Sequence, residues 1–408
     1  MTGLRGRAVG FTAAPLVAGL APFLILPILA RVTSAAEWTA VATGQALGAI
    51  AAVGVGLGWT LVGPPRLSYG GARKAEQLWW DSVLTRIAAL ALIAVILVPV
   101  SFVLAYPSTW SINYLAAVGV AATGLSCSWH AVGRGRGSDV VWFDAVPKVS
   151  GVALGAVILL TIRDVPFYLA VVLLGALVGP AWYGARHYPR IPRRRFRSVI
   201  RLAAVQRQAL GANLLSSVQN AAPVIVVGAL SAALPAGRVV SADKLYRAGQ
   251  IATQALVNTV QAWALHGRPT SLTPRLRGAL GAHLLLGIVG CGLLISLGPW
   301  VTGFAFGADL AAPIAACVGY GLAYLLFTMN IAVSRLVLVP RRGGQSIVLA
   351  SAAAGVGVGL TAMIALVMAV GAEGVPFGLA IAEMTVAIGY SIGLSARLTR
   401  RAGDRDRP

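Results

Sequence analysis

Asp243, Arg247, Gln250, Gln254, Asn258 and Gln261 follow one another at intervals of 4, 3, 4, 4 and 3 residues. In an α-helix that spacing puts all six near one face. The surrounding segment is otherwise rich in apolar residues. Hydrogen bonding between helices of a tight bundle usually takes one or two polar side chains per helix. Six in register predict instead the wall of a water-filled cavity. Gln206, Asn213, Ser217 and Asn220, at intervals of 7, 4 and 3, repeat the pattern on the segment before, which a short turn joins to the first. The two helices are expected to pack as an antiparallel pair and share one hydrophilic wall; local packing at the helix ends is the alternative for the second.

Two acid–base pairs stand four residues apart with the acid first, the better order for an intrahelical pair: Asp243 with Arg247, and Asp144 with Lys148. Each pair either neutralises itself near a helix end or serves a cargo. Lys244 has no acid on its own face. Along their helices Lys244 lies about 8 Å in, Arg247 about 12 Å and Lys148 about 10 Å, at 1.5 Å per residue. Cations at such depths suit an anionic cargo, because Arg and Lys meet phosphate through charge-assisted hydrogen bonds. Glu383 sits near the middle of the last apolar stretch, far from loop cations. It can carry a proton or a sodium ion through a transport cycle, or be held by a neighbouring helix. The three cysteines and four histidines have no metal-ligand spacing, and no P-loop is present.

The elements that must position these residues are membrane spans. The chain is 58% hydrophobic and 11% charged, with a mean hydropathy of +0.80. Soluble domains average roughly 25% charged residues. Twelve apolar stretches follow one another: 8–30, 39–63, 87–105, 112–132, 141–162, 166–185, 210–233, 239–265, 276–297, 311–333, 345–370 and 375–396. Each approaches the roughly 20 helical residues that cross a bilayer. With Arg277, at the edge of the ninth stretch, counted with its loop, 27 of the 33 Lys and Arg residues fall in every second gap; Arg31, Arg163 and Arg238 fall in the alternate gaps, and Lys148, Lys244 and Arg247 inside stretches. Basic loops stay cytoplasmic, so both termini are expected there, in the cytoplasmic membrane. The net charge of +21 is spread over short loops, where it meets lipid headgroups, and no nucleic-acid partner is expected.

The Arg-rich stretch 186–207 divides the spans into two sets of six in one orientation, as in transporters built from parallel repeats. The expected organisation is a lobe over 1–189, a basic linker over 190–207, a second lobe over 208–397 and a tail over 398–408. The fold class is all-α and integral to the membrane.

Three patches carry a resemblance. Ile25–Arg31 followed by Glu37-Trp38, the segment Trp129–Lys148 with Gly133, Asp144, Pro147 and Lys148, and the run Ser241-Ala242-Asp243-Lys244-Leu245-Tyr246-Arg247 look like segments of Wzx-like polysaccharide flippases. Those flippases belong to the MOP exporter superfamily. The resemblance implies two six-helix lobes around a central, alternately opening cavity, as in MATE-like proteins. It implies no enzyme activity and no cofactor beyond an H+ or Na+ gradient. The implied cargo is an undecaprenyl-pyrophosphate-linked sugar, with polysaccharide-assembly enzymes as partners. Arg31, Lys148, Lys244 and Arg247 would then be cavity cations for the pyrophosphate and acidic sugars, with Asp243, Gln250, Gln254 and Asn258 beside them. Glu383, Asn213 and Asn220 are the candidates for ion coupling. Two alternatives stand next to this reading. A MATE-type multidrug or cation antiporter wants acids in the first lobe, whose spans offer only Asp144. A lipid II-type flippase would share the cationic cavity.

Overall fold

Ser34 and Glu37 start the first complete helix. The Glu37 amide donates to the Ser34 hydroxyl at 3.2 Å, and the Ser34 amide to the Glu37 carboxylate at 2.8 Å, closing a capping box. The computed structural model describes residues 25–68, 71–190, 207–264, 274–341 and 343–405. The start of the first expected span, most of the basic linker including Gln206, and the last residues of the tail lie outside them.

The described residues are helical throughout, with short 3-10 and π turns. Residues 25–32 form α1. It is followed by α2 (Ala35–Gly56), α3 (Trp59–Ser68), α4 (Ala72–Leu104), α5 (Trp110–Ala121), α6 (Ser128–Gly133), α7 (Gly137–Val140), α8 (Val146–Thr161) and α9 (Val165–His187). After the linker come α10 (Arg207–Leu230), α11 (Ala233–Ala264), α12 (Pro274–Phe306), α13 (Ile314–Ala332), α14 (Gly344–Val370) and α15 (Val375–Arg405). The chain divides into two compact units between Ser217 and Val218, inside α10.

Ten of the described helical stretches are long and apolar enough to cross a membrane. The partly described α1 and the polar α11 complete the twelve. Large apolar side chains such as Leu92, Val95 and Phe102 on α4, Leu285 and Trp300 on α12, and Met368 on α14 are exposed. An apolar surface of that extent matches lipid rather than water. The protein is a multi-pass membrane protein.

Where helices touch, small residues let backbones approach. A methyl group on Gly44 of α2 would come within 2.2 Å of the Asn113 carbonyl oxygen on α5. In the second unit, one on Gly359 of α14 would stand 2.4 Å from the Ala382 side chain on α15.

Several boundaries differ from those of the apolar stretches. Leu57 (φ 47°) and Gly58 (φ 72°) are left-handed, which ends α2 inside the second stretch. The third stretch begins at 87, but α4 begins at Ala72, because the polar segment ahead of it holds no Gly or Pro to stop a helix. Arg86 is therefore a helical, buried residue rather than a loop cation. Likewise α11 begins at Ala233, so Arg238 lies in a helix and donates to the Asp309 carbonyl at 2.9 Å. Lys244 and Arg247 stand about 16 and 21 Å along that helix from its first residue.

Candidate functional site

In the second unit the site grows from α11. Asp243 is fully buried, and Arg247 four residues on donates to its carboxylate through Nε at 2.5 Å. A second guanidinium nitrogen donates to the Asn220 backbone carbonyl of α10 at 2.7 Å. The Asn220 side-chain oxygen accepts from Gln250 at 3.1 Å, and the same Gln250 amide reaches the Tyr246 hydroxyl at 3.1 Å. Two groups, one from each helix, thus hold the guanidinium, which keeps 25% of its side-chain surface exposed, and Gln250 ties Asn220 to Tyr246 beside it. Lys244 is buried next to Asp243.

Buried partners fix how α11 is turned. Tyr246 packs on Tyr320 of α13 with ring centroids 5.3 Å apart, and Thr253 meets the Tyr324 hydroxyl at 3.1 Å. With that face packed, Gln250, Gln254 and Gln261 are left half-buried, and Asn258 is exposed. The stripe runs along the margin between the packed and the open face of α11.

Glu383 on α15 is buried at 5% exposure. One carboxylate oxygen accepts from Gln219 of α10 at 3.0 Å, the other from Asn330 of α13 at 2.7 Å. Consecutive residues of α10 therefore serve two clusters, Gln219 the carboxylate and Asn220 the guanidinium. Asn220 meets Arg247 and Gln250 rather than Glu383, and Asn213 lies about two turns earlier on α10.

In the first unit, Lys148 of α8 donates to Asp144 at 2.7 Å. Asp144 lies in a π-helical turn, Val141–Ala145, a distortion frequent at functional sites. Its other oxygen accepts from Ser128 at 2.8 Å, and Ser128 is hydrogen-bonded to Ser126 at 2.9 Å. Arg86 completes this line. One guanidinium nitrogen donates to the Gly124 and Ser126 carbonyls at 3.0 and 2.8 Å, another to the Ser82 hydroxyl at 2.7 Å, above the Trp129 ring. These carbonyls lie where α5 gives way to a 3-10 turn before α6 begins. Arg31 is exposed at the end of α1.

Four of these groups escape a reading of spacing alone. Gln219 neighbours the marked Asn220 but falls off its stripe. Asn330 stands alone in an apolar run, which is itself a signal. Ser128 and Arg86 become meaningful only through the break between α5 and α6.

No protein-family model matches the chain, and no curated protein does. Solved structures do. The lipid II flippase MurJ in an inward closed conformation is 11% identical over 95% of this chain and 87% of its own, with a TM-score of 0.69. An inward-facing multidrug resistance MATE transporter of the MOP superfamily is 15% identical over 96% and 99%, with a TM-score of 0.64. At these identities the likeness is one of architecture. The chain has the all-α, multi-pass fold of MOP-superfamily membrane transporters.

Proposed function

We propose that the protein flips a lipid-pyrophosphate-linked oligosaccharide across the cytoplasmic membrane by ion-coupled alternating access, for assembly of a surface polysaccharide. The observation that carries this reading is the Arg247 guanidinium. It is braced by Asp243 and Asn220, a quarter exposed, and continued along α11 by Gln250, Gln254 and Asn258. A preoriented guanidinium followed by amides suits an anionic head and then a train of sugar hydroxyls. Lys244 adds charge to the same helix, and Arg31 and Lys148 are the corresponding cations of the N-terminal lobe. Glu383 is the coupling group, with Asn213 and Asn220 on the helix that carries its partner Gln219. Both termini and the basic linker face the cytoplasm, where polysaccharide-assembly enzymes would dock.

A cation antiporter fits these groups less well. Asp144, the acid expected to hold a cationic drug in the first lobe, is already engaged by Lys148 at 2.7 Å and by Ser128 at 2.8 Å. The test is reconstitution in proteoliposomes with an ion gradient. A fluorescent lipid-pyrophosphate oligosaccharide, lipid II and a cationic dye are offered in separate arms. Gradient-dependent movement of the first supports the proposal. Movement of the dye alone overturns it in favour of the antiporter, and movement of lipid II alone in favour of that flippase class.

A further inference from the structure

At one end of the N-terminal unit four arginines converge on a cavity of about 570 Å³. Arg73 comes from the start of α4, Arg134 and Arg136 from the connection between α6 and α7, and Arg190 from just beyond α9. Two of them are held in place. Arg134 donates to the Tyr188 hydroxyl at 2.5 Å, and Arg136 stands 3.8 Å from Asp139 and 3.4 Å from the His187 ring. Tyr188 is itself buried at 6% exposure, its ring 5.5 Å from that of His130 and 6.3 Å from that of Trp79. The anchor for Arg134 is therefore rigid. Among the described lining residues Glu76 supplies the single carboxylate, and Asp139 stands behind Arg136 and His187, so four guanidinium groups face two acids and the wall stays cationic.

A second feature sets the level of this cavity relative to the bilayer. The Phe143 ring packs against Trp182 at 4.8 Å and against His187, a lining residue, at 5.5 Å. Trp182 and Trp142 are exposed at 46% and 57%. Tryptophan collects where hydrocarbon meets headgroups. The apolar run of α9 also ends just before Arg186 and His187. A cationic cavity thus opens beside exposed tryptophans at the end of an apolar helix, a combination that suits the headgroup level.

We propose that this cavity is a binding site for the phosphate of an anionic lipid headgroup. Guanidinium groups pair with phosphate oxygens through parallel N–H donors, and converging arginines relieve their mutual repulsion by taking an anion. The volume lies in the usual range for small-molecule pockets, about 300–1,000 Å³. Acyl chains would run outside, along Trp142 and Trp182. The neighbouring linker is an unsuitable occupant, since Arg193, Arg194, Arg195, Arg197 and Arg201 carry the same charge as the wall. The site does not depend on what the protein transports, and all of its lining residues belong to the N-terminal unit.

The full chain is placed in nanodiscs of phosphatidylcholine with graded phosphatidylglycerol, and the lipid it retains on release into detergent is counted by native mass spectrometry. In a parallel arm, detergent-purified protein is titrated with inorganic pyrophosphate by calorimetry. The variant is Arg73→Gln with Arg190→Gln, two exposed positions that leave the Arg134–Tyr188 and Arg136–Asp139 contacts in place. The expected result is preferential retention of phosphatidylglycerol by the wild type. The variant should lose about thirtyfold in that preference, equivalent to about 2 kcal/mol, with its melting temperature unchanged. Equal retention of both lipids, or a variant that keeps the preference, overturns the proposal. Pyrophosphate binding as tight as that of the lipid, and lost in the Arg73→Gln, Arg190→Gln variant, overturns the lipid assignment in favour of a soluble phosphate.

Discussion

One amide nitrogen of Asn330 donates both to the Glu383 carboxylate, at 2.7 Å, and to the Glu383 backbone carbonyl, at 2.9 Å. A backbone carbonyl only accepts, so this amide is fixed in orientation. Gln219 donates to the other carboxylate oxygen at 3.0 Å from an amide that can turn end for end. Two N–H donors suit an ionised carboxylate. A protonated carboxyl becomes a donor itself and requires Gln219 to turn its oxygen inward. The next residue, Asn220, holds Arg247 and Gln250, so such a turn occurs one residue away from the cation cluster.

Glu383→Gln imitates the protonated carboxyl, with an oxygen for Asn330 and an NH2 group for a turned Gln219. A coupler locked in one state cannot return the gradient's ion. Net gradient-driven flipping in proteoliposomes should stop, while cargo binding in detergent stays close to wild type. Flipping at the normal rate by this variant would remove Glu383 from the coupling mechanism.

Arg86 staples α4 to the break after α5, and through Ser126 and Ser128 that break positions Asp144 and Lys148. Arg86→Ala strands the Gly124 and Ser126 carbonyls. An unsatisfied buried polar group costs about 1–3 kcal/mol. A clear drop in thermal stability of the purified protein is expected, with partial recovery in Arg86→Lys, whose single ammonium can reach a carbonyl but not bridge the set. Wild-type melting of Arg86→Ala would mean that the break holds without the staple.

The twelve spans and the Asp243–Arg247 and Asp144–Lys148 pairs were legible because each depends on local spacing along one helix. Arg86 was not, since charge counting assigns a cation at the edge of an apolar run to a loop. Its burial depends on carbonyls near 40 residues away that a helix break leaves open. Gln219 and Asn330 were hidden for a related reason. Their partner lies 164 and 53 residues distant, on a helix whose neighbours follow from three-dimensional packing. The Glu37 acid of the opening pattern was visible, but its work as a helix cap required the geometry of Ser34.

The distribution of cations between alternate loops predicts the orientation. A cysteine at Ser108, exposed in the turn between α4 and α5, should react with an impermeant thiol reagent in intact cells. One at Ser198, in the basic linker, should react only after permeabilisation. The native Cys127 and Cys317 are buried and add little background. Labelling at Ser198 but not at Ser108 would invert the assigned topology.

Arg247 offers the sharpest test of the cargo. Truncating one partner of a buried, hydrogen-bonded charge contact costs about 2–5 kcal/mol. Arg247→Ala should thus weaken binding of a lipid-pyrophosphate sugar by about thirtyfold or more, at about 1.4 kcal/mol per decade. The same change strands the fully buried Asp243, whose carboxylate accepts from Arg247 at 2.5 Å, so lost folding has to be separated from lost binding. Asp243→Asn combined with Arg247→Ala removes the stranded charge and should restore stability without restoring affinity. Arg247→Lys should recover part of the binding, because an ammonium cannot brace against Asp243 and Asn220 while still presenting donors in a planar fork. Lys244→Ala, one turn earlier on α11, should weaken binding in the same direction. If the stable double variant binds and flips the cargo at wild-type levels, the Asp243–Arg247 pair serves only to join α10 to α11. The anionic head would then have to be met elsewhere.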